Sequence, residues 1–244
     1  GTCPRSNHAL VPTRAFFGGV PVARAAQRIV RPTYMKTMIV VGLLFGALNA
    51  AALEFKLPFR GRWFVAQAGD TLNVNHHMAV KAEWFGMDFV KVGGASQREL
   101  SRSDGPATVS DYYSWGEQVL SPVSGVVKSV VDGLPDNPLG TKDPKNPAGN
   151  HVVIAAAGDR YVFIAHFQKG SVRVKPGQNI SAGDQLGLCG NSGNSDFPHV
   201  HMHVQDTPTS NQGEGQNVTF KGINVELSGK VFQNVDWPLI SGLF

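Results

Sequence analysis

The chain has 244 residues, 42% apolar and 16% charged, a composition that builds a core and excludes a disordered or acidic-tail protein. Its 28 glycines and 15 prolines favour turns and short strands, which excludes a coiled coil. Collagen-like and disulfide-rich architectures are excluded too, the latter because there are only two cysteines. The net charge of +4 does not indicate nucleic acid. Arg5, Arg14, Arg24, Arg28, Arg31 and Lys36 lie within residues 1–52, which hold no acidic residue, so 16 of the 22 basic residues face all 18 acidic ones in residues 53–244. The C-terminal part has no basic signature, and no nucleic-acid partner is expected.

Met35-Lys36 is followed by an apolar run from Met38 to Leu48 and then Asn49-Ala50-Ala51-Ala52. A positive start, a short apolar stretch and a small-residue exit describe a secretory signal peptide. The run is too short to span a bilayer, which takes about 20 residues. The expected organisation has three parts. Residues 1–34 are an upstream extension, disordered or an artefact of the gene model. Residues 35–52 are the signal, cut near Ala52–Leu53, and residues 53–244 are one exported domain in the periplasm or outside the cell. An organelle transit peptide is the alternative for residues 1–34, and a short membrane-anchoring helix with a disordered tail is the alternative for the whole leader. After cleavage no stable membrane span is expected. Only Cys189 would remain, so any metal must be held by histidine and carboxylate.

From Phe55 onward, short alternating runs are broken by turns. Strands are expected at Trp63–Val65, Met87–Val92, on both sides of a turn within Val119–Val131, and at His151–Ala156, Tyr161–Phe167, Val172–Val174, Gln185–Leu188 and His199–Val204. A last pair is expected at Val218–Glu226 and Lys230–Phe232. Residues 95–117 form a polar loop. Residues 132–150 form a second one, with four prolines and three glycines. Loops this long in a compact domain are usually functional or disordered. No segment has sustained helical periodicity. The expected fold is all-β and antiparallel, a sandwich or partly open barrel with long loops around a groove.

The densest chemistry is Pro198-His199-Val200-His201-Met202-His203-Val204. On a strand, alternate side chains share a face, so the three histidines point one way. Neighbours on that face are about 7 Å apart, close enough for two imidazoles to converge on one metal or on the ligand beside it. A solvated histidine stripe is the competing reading.

The stretch before this strand carries a resemblance. Gly190-Asn191-Ser192-Gly193-Asn194-Ser195 leads into Pro198-His199-Val200-His201. Upstream stand Ala165-His166-Phe167, Val174-Lys175-Pro176-Gly177-Gln178, Gly86-Met87-Asp88-Phe89 and the run Val119–Val127. Together these resemble the LytM-type, or lysostaphin-like, zinc metallopeptidases over roughly residues 62–206. The family's usual histidine four residues before the aspartate is missing here, where Trp84 stands instead. The nearest upstream histidines are His76 and His77, as if an insertion separated the two ligands.

The resemblance implies one zinc per chain, held by His77, Asp88 and His201, with His76 as the alternative first ligand. It implies catalytic roles for His166 and His199 without metal binding. Three ligands leave a fourth position open, as in catalytic rather than structural zinc. The implied activity is hydrolysis of peptide bonds in peptidoglycan cross-links by a metal-activated water, with residues 95–117 and 132–150 walling the groove of a monomer. The alternative is an inactive LytM-type domain that activates other cell-wall hydrolases. A biotinyl- or lipoyl-carrier domain is set aside, because the only Met-Lys pair is Met35-Lys36, inside the leader. His203 is either a residue orienting a ligand or an exposed strand position. His151 is read as surface, Cys189 as core, and Asn191, Asn194 and Ser195 as turn formers.

Overall fold

The computed structural model describes residues 53–223, 227–236 and 239–243. The expected extension and signal peptide, residues 1–52, lie outside the described residues. No helix among the described residues is long and apolar enough to cross a membrane.

Eleven strands are described: β1 (Gly61–Gln67), β2 (Met87–Lys91), β3 (Gln118–Leu120), β4 (Gly125–Val131), β5 (Asn150–Ala156), β6 (Arg160–Phe167), β7 (Asn179–Ile180), β8 (Gln185–Leu188), β9 (Val200–Gln205), β10 (Val231–Asp236) and β11 (Leu239–Leu243). Nine form one antiparallel sheet in the order β11-β10-β1-β2-β9-β6-β5-β4-β7, and β3 pairs with β8. The large sheet is open at β11 and β7 rather than closed into a barrel. Val127, Ile154, Ile164, Val200 and Met202 of the large sheet share one buried cluster with Val119 and Leu186 of the small one. The all-β sandwich expected from the turn-rich, alternating sequence is therefore the observed class.

Alternation decides which face each side chain takes. In β9, Val200, Met202 and Val204 join the core, which leaves His201, His203 and Gln205 on the opposite face. In β2, Met87 and Phe89 go to the core and Asp88 to the opposite face. Register then aligns the strands, with Asp88 opposite His201 on one side of β9 and Ala165 opposite His201 on the other. Burying Val200, Met202 and Val204 stabilises this register by about 1.5–3 kcal/mol per side chain. A one-residue slip would turn the histidines into the core.

Two expected strands differ. Residues 172–174 form no strand, although Val174 is buried and Arg173 N donates to Leu186 O at 2.8 Å. Of the expected final pair, Lys230–Phe232 falls on the start of β10, but β10 pairs with β1 and β11 and not with residues 218–223. Gly222, at φ +76°, interrupts the run after Val218, and only Phe220 makes a bridge there, to Phe55. Residues 224–226 lie outside the described residues.

Candidate functional site

The polar faces of β2, β9 and β6 open on a groove of about 420 Å³. Lys142, Pro147 and Ala148 of the 132–150 loop line it, as expected. Residues 95–117 do not, which corrects the expectation for that loop. Its Tyr112 stacks on Phe197 (5.4 Å between centroids, 12° between planes), and Phe197 itself lines the groove. The first loop therefore backs an element of the wall.

Asp88 sits at the centre and is buried. His77 Nε2 is 3.1 Å from its Oδ2, and His201 Nδ1 is 3.0 Å from its Oδ1. His199 Nε2 lies 3.5 Å from Oδ1, and the exposed His76 reaches Oδ2 with Nε2 at 4.0 Å. Ligand atoms of His76, His77 and Asp88 lie within 4.8 Å of one another. Of the two candidates for first ligand, His77 is the nearer and the buried one. The structure thus brings together all five residues singled out by the sequence, since His166 and His199 stand ring to ring at 4.7 Å and His166 and His201 at 5.8 Å.

The segment between His77 and Asp88 is built to deliver His77. Asn75, buried, accepts the His77 backbone N–H on Oδ1 (3.2 Å) and donates through Nδ2 to Gly69 O (2.8 Å) and Gly86 O (3.0 Å). Gly86 lies so close to the imidazole that a Cβ there would stand 3.0 Å from His77 Cγ. Glu83, in the short 3-10 turn Lys81–Glu83, places Oε2 3.6 Å from His77 Nδ1. The sequence signals neither Asn75 nor Glu83, and it signals Gly86 only as part of the motif around Asp88.

His166 reaches the groove by breaking the alternation of β6. Val162 and Ile164 face the core and Ala165 the groove, so a regular strand would send His166 into the core. Instead His166 adopts φ +65°, lines the groove, and returns Phe167 to the core. Left-handed backbone at a non-glycine residue costs about 1 kcal/mol and tends to mark functional sites. The conformation is held from outside, because His166 Nδ1 donates to Ser192 O (2.8 Å). The Ser192 hydroxyl in turn donates to Phe167 O (2.8 Å) and accepts from Asn150 N (2.9 Å). His199 Nδ1 donates to Phe197 O (2.9 Å) and stands 3.2 Å from Ser195 Oγ. Ser195 Oγ is also 2.7 Å from Asn191 Oδ1. Asn191, Ser192 and Ser195 are fully buried. The glycine-serine-asparagine loop is therefore a scaffold for both histidines, more than the turn expected from its composition.

Burial and mutual charge set the electrostatics of these side chains. Burial would raise the Asp88 pKa, but His199 and His77 hold it well below the usual carboxylate range. Burial disfavours the charged form of His77, yet Asp88 and Glu83 overcome this and raise its pKa to about 9. Burial likewise opposes charge on His199, and Asp88 again outweighs it, so that pKa is raised. His166 is pushed well below the ordinary histidine value by burial, then by His199 and His201. His203 is lowered to about 3 by burial, then by His201.

The donor set fits a divalent cation. His77 Nε2 is buried and has no hydrogen-bond partner, although it lies beside Asp88 Oδ2. His76, His77 and Asp88 bring two imidazole nitrogens and one carboxylate oxygen within 4.8 Å of one another, and His201 Nδ1 approaches the other oxygen of the same carboxylate, which are the nitrogen and oxygen ligands that zinc takes. Of the other histidines, His151, read from the sequence as surface, is half-buried and lies outside the groove, with Nδ1 2.8 Å from Gly149 O. His203 is buried beside His201, not an exposed strand position. Cys189 is buried, as expected.

A sandwich whose central strands gather histidines around one carboxylate defines a candidate metallohydrolase. Residues 111–218 match the model of Peptidase family M23, a match that supports the resemblance of this stretch to the LytM-type peptidases. The matched stretch contains His166, His199 and His201, while His77 and Asp88 lie upstream of it. Endolysin 2638A of Staphylococcus phage 2638A is 31% identical over 105 residues, covering 41% of this chain and 22% of the endolysin. The chain thus matches about a fifth of the length of that curated relative. Among solved structures, the catalytic domain of the antimicrobial peptidase lysostaphin from Staphylococcus simulans is 18% identical. It covers 68% of this chain and 88% of its own, with a TM-score of 0.35. A zinc-containing peptidase from Vibrio cholerae is 20% identical, covering 68% of this chain and 40% of its own, with a TM-score of 0.35.

Proposed function

We propose that the chain is an exported zinc metalloendopeptidase that hydrolyses peptide bonds in peptidoglycan cross-links. Residues 35–52 would act as the signal peptide and residues 53–244 as the mature monomer. His77, Asp88 and His201 would hold the metal. The observation that carries this reading is the convergence of His77 Nε2 and His201 Nδ1 on the two oxygens of the buried Asp88 carboxylate, at 3.1 and 3.0 Å.

When bound, zinc would make a hydroxide nucleophile available near neutral pH and polarise the scissile carbonyl. The protein's own groups would handle protons and orientation. Phe197 O holds one His199 proton on Nδ1, which leaves Nε2, 3.5 Å from Asp88 Oδ1, as the nitrogen that would exchange a proton. Ser192 O does the same for His166. Both imidazoles are thereby set to accept a proton at Nε2 and, once protonated, to donate to a developing oxyanion or leaving amine. The groove wall built by Lys142, Pro147 and Phe197 would hold the peptide in line. The choice of peptidoglycan rests on the family resemblance.

The test is digestion of purified peptidoglycan with mass analysis of the products, with chelator and with zinc restored. New amino termini that vanish with chelator and return with zinc are expected. Intact peptidoglycan under all three conditions would overturn the enzyme reading in favour of an activator of other hydrolases.

A further inference from the structure

His201, His203 and Gln205 share one face of β9, and their side chains form a single line of hydrogen bonds. His201 Nε2 is 2.8 Å from His203 Nδ1, and His203 Nε2 is 3.1 Å from Gln205 Oε1. The line ends on main chain, where Gln205 Nε2 donates to Thr207 O and Thr209 O, both at 2.8 Å. All three side chains are buried. The His203 ring also lies flat on Phe163, with 4.7 Å between centroids and 10° between planes.

The end of the line sets its direction. Carbonyl oxygens only accept, so the Gln205 amide group must point at Thr207 O and Thr209 O, and Gln205 Oε1 must face His203. His203 Nε2 therefore carries a proton and donates. A neutral imidazole has one N–H, so with the proton on Nε2 the His203 Nδ1 is the acceptor toward His201. His201 Nε2 must then donate, which places the one proton of a neutral His201 on Nε2 and leaves Nδ1 with a lone pair. That lone pair faces Asp88 Oδ1 at 3.0 Å. Two lone pairs at this distance repel unless a cation lies between them.

We infer that His203 and Gln205 are positioning residues that lock His201 in the tautomer whose Nδ1 can ligate a metal. This rests on the proposed metal site but goes beyond it, because it says which atom of His201 is presented and what enforces the choice. Partners that orient a ligating histidine typically contribute about 10- to 100-fold in metal affinity. The reversed line would set Gln205 Oε1 against two carbonyl oxygens at 2.8 Å and leave His203 Nε2 facing an amide donor.

The test uses the full chain and three readouts. Zinc affinity, from competition with a chromophoric chelator, should fall about 10- to 100-fold in His203→Phe, which keeps the ring stack but removes the acceptor. His203→Asn, whose carbonyl oxygen restores an acceptor near the Nδ1 position, should recover most of the loss. Far-UV circular dichroism and melting of the metal-free variants identify any that misfold. Independently, the imidazole nitrogen resonances of the metal-free wild type should report His201 protonated at Nε2 and His203 at Nε2. A His201 protonated at Nδ1 overturns the inference, as does a folded His203→Phe with zinc affinity within about twofold of wild type. If the wild type takes up no zinc, the metal site itself fails, and the tautomer readout still decides the relay.

Discussion

Ser192 is the hydroxyl on which the His166 side of the groove hangs, and its removal has a calculable cost. Ser192 and Asn150 are both fully buried. In Ser192→Ala, Phe167 O keeps a donor, because Asn150 Nδ2 reaches it at 3.1 Å. Asn150 N loses the hydroxyl that accepts it at 2.9 Å. One buried N–H is orphaned, which costs about 1–3 kcal/mol. Gly149 packs against Ser192, since a Cβ there would stand 2.5 Å from its backbone carbon and oxygen and 2.6 Å from Oγ, and the loop has little room to find a substitute. Urea unfolding of the metal-free protein should show a lower midpoint with an unchanged slope. Peptide hydrolysis should fall, because the Ser192 carbonyl that holds His166 Nδ1 shifts with its residue. Zinc affinity should hold, because His77, Asp88 and His201 are positioned by other segments. A stability loss below about 0.5 kcal/mol would refute the assignment of this hydroxyl as a structural anchor.

Two further substitutions separate the halves of the site. His201→Ala should abolish zinc uptake measured by metal analysis, whereas His199→Ala should retain about one zinc per chain and lose about 100-fold or more in turnover. Wild-type turnover in both variants would dismiss the site. Gly190→Ala should lower the melting temperature, because the new Cβ would stand 2.3 Å from Gln168 N and 2.4 Å from Gln168 Cα, backbone atoms that cannot move aside cheaply. An unchanged melting curve would mean that this loop is not held against β6 as described.

Much of the fold was legible because alternation is a local signal. Val200, Met202 and Val204 read as one face of a strand before any partner is known, and the register partners Asp88 and Ala165 only confirm which face is buried. Legibility ends where a short run needs a tertiary partner to become a strand. Val172–Val174 has the composition of a strand and lacks the ladder, so it packs Val174 inward without one. Of the last expected pair, Lys230–Phe232 falls on the start of β10 at Val231, whereas Val218 onward forms no described strand, because Phe220 looks like a strand residue while Gly222 ends the run.

The site was legible in its residues and not in its supports, for a physical reason. Ligands and proton carriers are drawn from few residue types, so His77, Asp88, His166, His199 and His201 announce themselves. Their supports are backbone carbonyls, hydroxyls and amides, which look like turn chemistry in a sequence. His166 makes the difference concrete. By strand alternation it belongs in the core, and only a left-handed backbone secured by Ser192 O brings it to the groove. His201 needs no such device, because alternation already aims it, and its support runs along the same strand through His203 and Gln205. One side of the groove therefore inherits its precision from the register of the central sheet, and the other from a buried loop. Core substitutions in β9 should disturb metal binding first, and loop substitutions between Gly190 and Ser195 should disturb proton transfer first.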